Sequence, residues 1–156
     1  MISLAPFVRP ELAFDVPAVR SQHRLFEVIA EHLARHHIVS NQSALVQQFE
    51  KREQLCSTGV GHGVALPHAQ TEAVDRIVVV VCRLRHPLNW QSRDGEPVRL
   101  VVAIVSPPNL CALYLKVLAV LARALHEETV RNQALLAETP VRAAEVIAAS
   151  AQELQG

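Results

Sequence analysis

The chain has 156 residues and is 50% hydrophobic, enough apolar side chain for one self-supporting core and too much for a disordered tail. Fifteen Lys and Arg balance fifteen Asp and Glu, so the formal net charge is zero and no overall field favours a nucleic acid or an anionic membrane as partner. Only Lys51 and Lys116 are lysines, while eight histidines are present, which leaves anion chemistry to guanidinium forks and titratable imidazoles.

Cys56, Cys82 and Cys111 are odd in number and widely spaced, without a CxxC or a Cys/His ligand pattern, so reduced thiols and a cytoplasmic location are expected. The N-terminus lacks a basic start followed by an apolar run, and no segment approaches 18 uninterrupted apolar residues, so no membrane insertion is expected. One domain over 1–156 is expected, without repeat or linker.

Pro6, Pro10 and Pro17 predict an extended lead-in over residues 1–20 that packs Phe7, Leu12 and Phe14 onto the body. Ser21 is a candidate N-cap for a helix in which Leu25, Phe26, Ile29 and Leu33 recur at helical spacing, closing at His36 and His37. A second helix is predicted after Asn41 and ends near Cys56, with Leu45, Val46, Phe49 and Leu55 inward and Glu50, Lys51 and Glu53 outward. Ser57-Thr58-Gly59-Val60-Gly61-His62-Gly63 follows, a loop whose alternate glycines let main-chain amides approach a ligand. The chain then enters Val64-Ala65-Leu66-Pro67-His68.

The runs 77–84 and 99–106 are rich in β-branched residues and predict central strands covered on both faces. Between them, Asn89-Trp90 and Asp94-Gly95-Glu96-Pro97 predict a connection outside the core, with room for a short edge strand. A strong helix from about Cys111 to His126 is predicted to turn Leu115, Leu118, Val120, Leu121 and Leu125 inward and Lys116 and Arg123 outward. Two shorter helices close the chain, Glu128 to Leu136 and, capped by Thr139-Pro140, one running to about Ala149. The order predicts a single-domain α/β sandwich, a mixed sheet with helices on both faces.

The motif Arg52-Glu53-x-x-x-Ser57-Thr58-Gly59-x-Gly61-x-Gly63-x-Ala65-x-Pro67-His68 resembles the fructose/mannitol-type enzyme IIA of the bacterial phosphoenolpyruvate-dependent phosphotransferase system, in particular its nitrogen-regulatory branch. Similarity extends from about Leu12 to Ile147, through Pro87 to Trp90 and the Pro97 to Val101 pattern. The resemblance implies a phosphocarrier without cofactor or metal, phosphorylated at His68 on the outer ring nitrogen by the histidine-containing phosphocarrier protein. It also implies a regulatory role toward a kinase or a transport protein. A phosphoryl acceptor at neutral pH must be a neutral nitrogen, which imidazole supplies when its other nitrogen donates to a fixed acceptor.

Donors should surround the transferring group, and Arg52, Ser57, Thr58 and the amides around Gly59, Gly61, His62 and Gly63 are the candidates. Each has an ordinary alternative: Arg52 as a helix charge paired with Glu50 or Glu53, Ser57 and Thr58 as turn caps, His62 as a loop variant. His62 and His68 could also flank a metal, but no third ligand stands at a suitable spacing. Where relatives carry a second histidine near the active one, this sequence has Tyr114, which donates one neutral hydrogen bond and cannot become cationic. Altered phosphoryl transfer is therefore expected, and the rival reading is a non-catalytic IIA-like module that regulates a partner without turnover. A metal-dependent hydrolase is a distant third.

Overall fold

The computed structural model describes residues 2–153, so the expected span of 1–156 reaches beyond the described residues at both ends. In chain order it contains β1 (Phe14–Val16), α1 (Gln22–Arg35), α2 (Gln42–Leu55), β2 (Gly59–Gly61), β3 (Val64–Ala65), β4 (His68–Gln70), β5 (Val78–Leu88), β6 (Val98–Ser106), α3 (Cys111–His126), α4 (Glu128–Leu136) and α5 (Pro140–Glu153). Ser21 Oγ accepts from the Arg24 N–H at 3.0 Å, Asn41 Oδ1 from the Ala44 N–H at 3.1 Å and Thr139 Oγ1 from the Arg142 N–H at 3.1 Å. Each such cap stabilises its helix by about 1 kcal/mol. Arg131 closes the far end of α3 by donating to the carbonyls of Leu125 at 3.0 Å and His126 at 2.7 Å.

β5 and β6 pair antiparallel, Val78 opposite Val105 through Arg83 opposite Leu100, before the register slips toward Leu88 opposite Val98. β1 joins the outer edge of β5 in parallel. The other edge of β6 is shared: β3 pairs with Leu100 and Val101, and β4 with Ile104 to Ser106, both in parallel. The β-branched sequence of β5 and β6 follows from this double burial. One face carries Val78, Val80, Cys82, Val101, Ala103 and Val105 against α1 and α2. The opposite face carries Val79, Val81, Leu100, Val102 and Ile104 against α3 and α5. The expected two-faced sandwich is therefore the fold.

Several expectations need correction. The lead-in is not merely extended: it contains a 3-10 turn at Pro10–Leu12 and the edge strand β1. The connection before β6 is not outside the core, because Trp90 is only 2% exposed and meets Phe26 edge-on at 6.0 Å between ring centroids. Its indole N–H donates to Thr58 Oγ1 at 3.2 Å, satisfying the one polar atom of a buried ring. Two leucines assigned inward are exposed, Leu55 at 81% and Leu115 at 55%, because α2 ends at Leu55 and α3 packs through Tyr114, Val117 and Leu121 instead. Pro108–His126 is long and apolar enough, with mean hydropathy 1.4, to cross a membrane by length and composition, yet its inner stripe packs on the sheet as a core helix does.

Candidate functional site

Residues 57–65 form a hairpin. Gly61 and Gly63 take φ of 88° and 77°, and His62 between them is also left-handed at 57°. β2 and β3 pair across this turn with a register shift between Gly59 and Gly61. The chain then runs along β6 and, after Pro67, begins β4 with His68. Pro67 has no N–H to bond and restricts Leu66 to extended backbone, which turns the Leu66 carbonyl toward the following imidazole. His68 Nδ1 lies 2.8 Å from that carbonyl oxygen. A carbonyl can only accept, so Nδ1 carries the proton and Nε2 keeps its lone pair.

Arg52, on the last turn of α2, donates its Nε–H to His68 Nε2 at 3.0 Å and an Nη1–H to the Cys56 carbonyl at 2.8 Å. The alternative partners expected for Arg52 are engaged elsewhere. Glu50 Oε1 lies 2.8 Å from His23 Nδ1, and Glu53 accepts from both the N–H and the hydroxyl of Thr58. Glu53 is thus half-buried and structural, a correction to its outward assignment. Burial holds the His68 pKa below the ordinary imidazole value; the Leu66 bond opposes that shift and the Arg52 charge adds to it. A neutral ring at pH 7 follows from a free value of about 6.5.

Arg52, His68, Gln70 and Tyr114 line one cavity of about 470 Å³, with Lys51 and the exposed Leu55 at its border. Tyr114 is 5% exposed, its ring centroid 6.0 Å from that of His68, and burial keeps its hydroxyl protonated far above neutral pH.

The remaining candidates are not drawn into that cavity. Ser57 Oγ donates to the Trp90 carbonyl at 2.9 Å and accepts from the Gly59 N–H at 3.1 Å. Thr58 is buried between Glu53 and Trp90, so both hydroxyls hold the loop onto the core. The His62 N–H donates to Asp94 at 2.8 Å and its ring faces His126 at 6.4 Å. Val64 sits opposite Leu100 and His68 opposite Ile104, four residues or about 13 Å apart along β6, with the Gly61–Gly63 turn farther still. None of Ser57, Thr58, Gly59, Gly61, His62 and Gly63 lines the cavity at His68, although the Thr58 carbonyl accepts from the Leu66 N–H at 3.0 Å, two residues before His68. Gln70 was missed from sequence, although its position two residues from His68 on a strand places it on the same face.

A second groove, about 560 Å³, runs between Arg83, Arg85, Arg99 and Leu136 beyond the other end of β6. It holds no imidazole, thiol or hydroxyl nucleophile, and its Arg83 is tied to Asp15 and to the carbonyl of Ala137.

Residues 7–150 match the family model described as phosphoenolpyruvate-dependent sugar phosphotransferase system, EIIA 2. A nitrogen regulatory protein of Bradyrhizobium diazoefficiens is 32% identical over 130 residues, 83% of this chain and 84% of the relative. The nitrogen regulatory protein homolog of Haemophilus influenzae is 31% identical, covering 85% of this chain and 82% of its own. Among solved structures, the nitrogen regulatory protein IIA-Ntr of Neisseria meningitidis superimposes with a TM-score of 0.83 at 27% identity, over 92% of this chain and 98% of that one. The Escherichia coli mannitol IIA in complex with phosphorylated IIB shares the fold, with a TM-score of 0.73 at 22% identity over 91% and 99% of the two chains. By the span of that match and by these relatives, the chain belongs to the EIIA type-2 family of the phosphoenolpyruvate-dependent phosphotransferase system.

Proposed function

We propose that this protein is a IIA-type phosphocarrier of the nitrogen-regulatory kind, acting in the cytoplasm and accepting a phosphoryl group on His68 Nε2 from the histidine-containing phosphocarrier protein. The observation that carries the reading is the pair of bonds on one ring: Nδ1–H to the Leu66 carbonyl at 2.8 Å, and Nε2 accepting from Arg52 at 3.0 Å inside an open cavity. The lone pair of Nε2 forms the new N–P bond as the donor's N–P bond breaks. A donor ring protonated on its other nitrogen leaves as neutral imidazole. His68, retaining its Nδ1 proton, then bears the ring charge, which the Leu66 carbonyl stabilises.

Arg52 must release Nε2 as the phosphoryl group arrives, and its fork is then placed to bind the equatorial oxygens. Leu55, exposed at the cavity, and Leu115, exposed on α3 next to Tyr114 in sequence, suit the docking of a partner protein. The nitrogen regulatory relatives favour a regulatory role over sugar uptake.

The test is incubation with phosphoenolpyruvate, enzyme I and an authentic phosphocarrier. Acid-labile, base-stable label that disappears in His68→Ala is the expected result, and absence of label with an active carrier overturns the reading. Tyr114 favours one second reading, a IIA-like module that binds its partner without turnover. Partner binding by an unlabelled protein, unchanged in His68→Ala, would select it.

A further inference from the structure

Gln70 lies two residues beyond His68 on β4, so both side chains leave the same face of the strand, and both line the cavity around Arg52 and Tyr114. Its amide nitrogen is buried and has no hydrogen-bond partner among the described residues. Buried donors in native proteins are nearly always satisfied, so an orphan calls for an explanation, and a partner supplied in another state of the protein is one. The neighbouring ring supplies such a state, because a phosphoryl group on His68 Nε2 brings three strong acceptor oxygens into the cavity that Gln70 lines, where this N–H has no partner. The spacing of two strand residues, about 7 Å, is within reach of the glutamine side chain directed along the strand.

We propose that Gln70 is a phosphoryl-binding residue, its side-chain amide donating a hydrogen bond to an oxygen of the group carried by His68. The inference rests on His68 being the acceptor. No proton moves in this contact: Gln70 donates while the donor's N–P bond breaks and the His68 N–P bond forms, and it continues to donate until the phosphoryl group is passed on. The amide is thus a cost in the resting protein and a stabiliser of the charged one. Arg52 serves both states, because it has His68 Nε2 and the Cys56 carbonyl as partners before phosphorylation.

Two opposed effects of one substitution test it. Gln70→Met keeps the length of the side chain and removes the orphaned donor, so the unphosphorylated variant should resist urea at least as well as the wild type. Its phosphohistidine should hydrolyse about tenfold faster or more, as expected for one lost hydrogen bond to a charged acceptor. Gln70→Glu, which sets a carboxylate beside the phosphoryl group, should shorten the lifetime further.

Both variants, the wild type and His68→Ala are labelled in parallel with the phosphocarrier and with potassium phosphoramidate, a small donor that needs no docking, and followed by phosphorus NMR. Wild-type lifetimes in Gln70→Met, or a loss of urea resistance in that variant, would overturn the role of Gln70. Labelling of His68 by phosphoramidate but not by the carrier would overturn the proposed function while leaving the lifetimes to decide on Gln70. Absence of label on His68 from either donor overturns both.

Discussion

Replacing Arg52 by Met removes the guanidinium that bridges His68 Nε2 at 3.0 Å and the Cys56 carbonyl at 2.8 Å while keeping much of the apolar stem. Two consequences follow with opposite chemical signs. Burial is the larger cause of the lowered His68 pKa and Arg52 adds to it, so the variant's pKa should rise and its Nε2 become more basic. Basicity alone would make the ring a better nucleophile. The transferring phosphoryl group, however, loses a charge-assisted donor worth about 1.5–3 kcal/mol, which at about 1.4 kcal/mol per decade slows transfer about 10- to 150-fold. Stopped-flow transfer from a phosphocarrier near pH 8, well above an ordinary imidazole pKa of about 6.5, isolates the second effect because both rings are then neutral. Proton NMR titration of the ring measures the first. Arg52→Lys restores the charge without the fork and should recover only part of the rate. A wild-type rate in Arg52→Met, or a His68 pKa that falls, would refute the assignment.

Tyr114→His should accept phosphate faster than the wild type, because an imidazolium in place of the neutral hydroxyl stabilises the incoming charge; equal rates at saturating donor would remove position 114 from the chemistry. Trp90→Ala should lower unfolding free energy by about 3–5 kcal/mol, since the ring is buried against Phe26 and its N–H holds Thr58, and a loss under about 1 kcal/mol in urea denaturation would place it outside the core. Both His32 and His68 have depressed pKa values, burial being the first cause in each. Unfolded imidazoles therefore take up protons from about pH 6.5 before the native ones do, so this contribution to stability is full above that pH and is lost as pH falls through the folded values. Urea midpoints should be level from pH 8 to about 7 and drop by pH 5.5; a midpoint that rises on acidification would contradict the sign.

What the residue pattern revealed depended on whether one local rule sufficed. Helices α1 and α2 were legible because Ser21 and Asn41 cap them and Leu25, Phe26, Ile29 and Leu33 mark a stripe, all within one turn's reach. β5 and β6 were legible because burial on both faces leaves a run rich in β-branched residues. β1 and β4 were not: three residues carry no periodicity, and both depend on long-range pairing with β5 or β6. Trp90 sits in a segment of turn residues, and only its contact with Phe26, far away in sequence, makes it core. In the site, His68 and Arg52 stood out through the motif, but their bond joins the end of α2 to the start of β4 and exists only in three dimensions. The glycine loop stayed ambiguous because alternate glycines suit a ligand cradle and a tight hairpin equally, and only the folded chain shows Ser92, Asp94 and Pro97 close against Gly59, Gly61 and Gly63. Leu115 was assigned inward by helical spacing alone, and packing rotated α3 so that Tyr114 took the inner position.

The bond from His68 Nδ1 to the Leu66 carbonyl has a consequence for heredity as much as for catalysis. The acceptor belongs to the peptide backbone, which every side-chain replacement at position 66 preserves. A single substitution at Leu66 therefore leaves the Nδ1 proton its acceptor and Nε2 as the nitrogen with the lone pair. The regiochemistry of the proposed phosphohistidine would be encoded in chain geometry at Leu66-Pro67-His68, and Pro67, which restricts that geometry, is the residue whose loss would put it at risk.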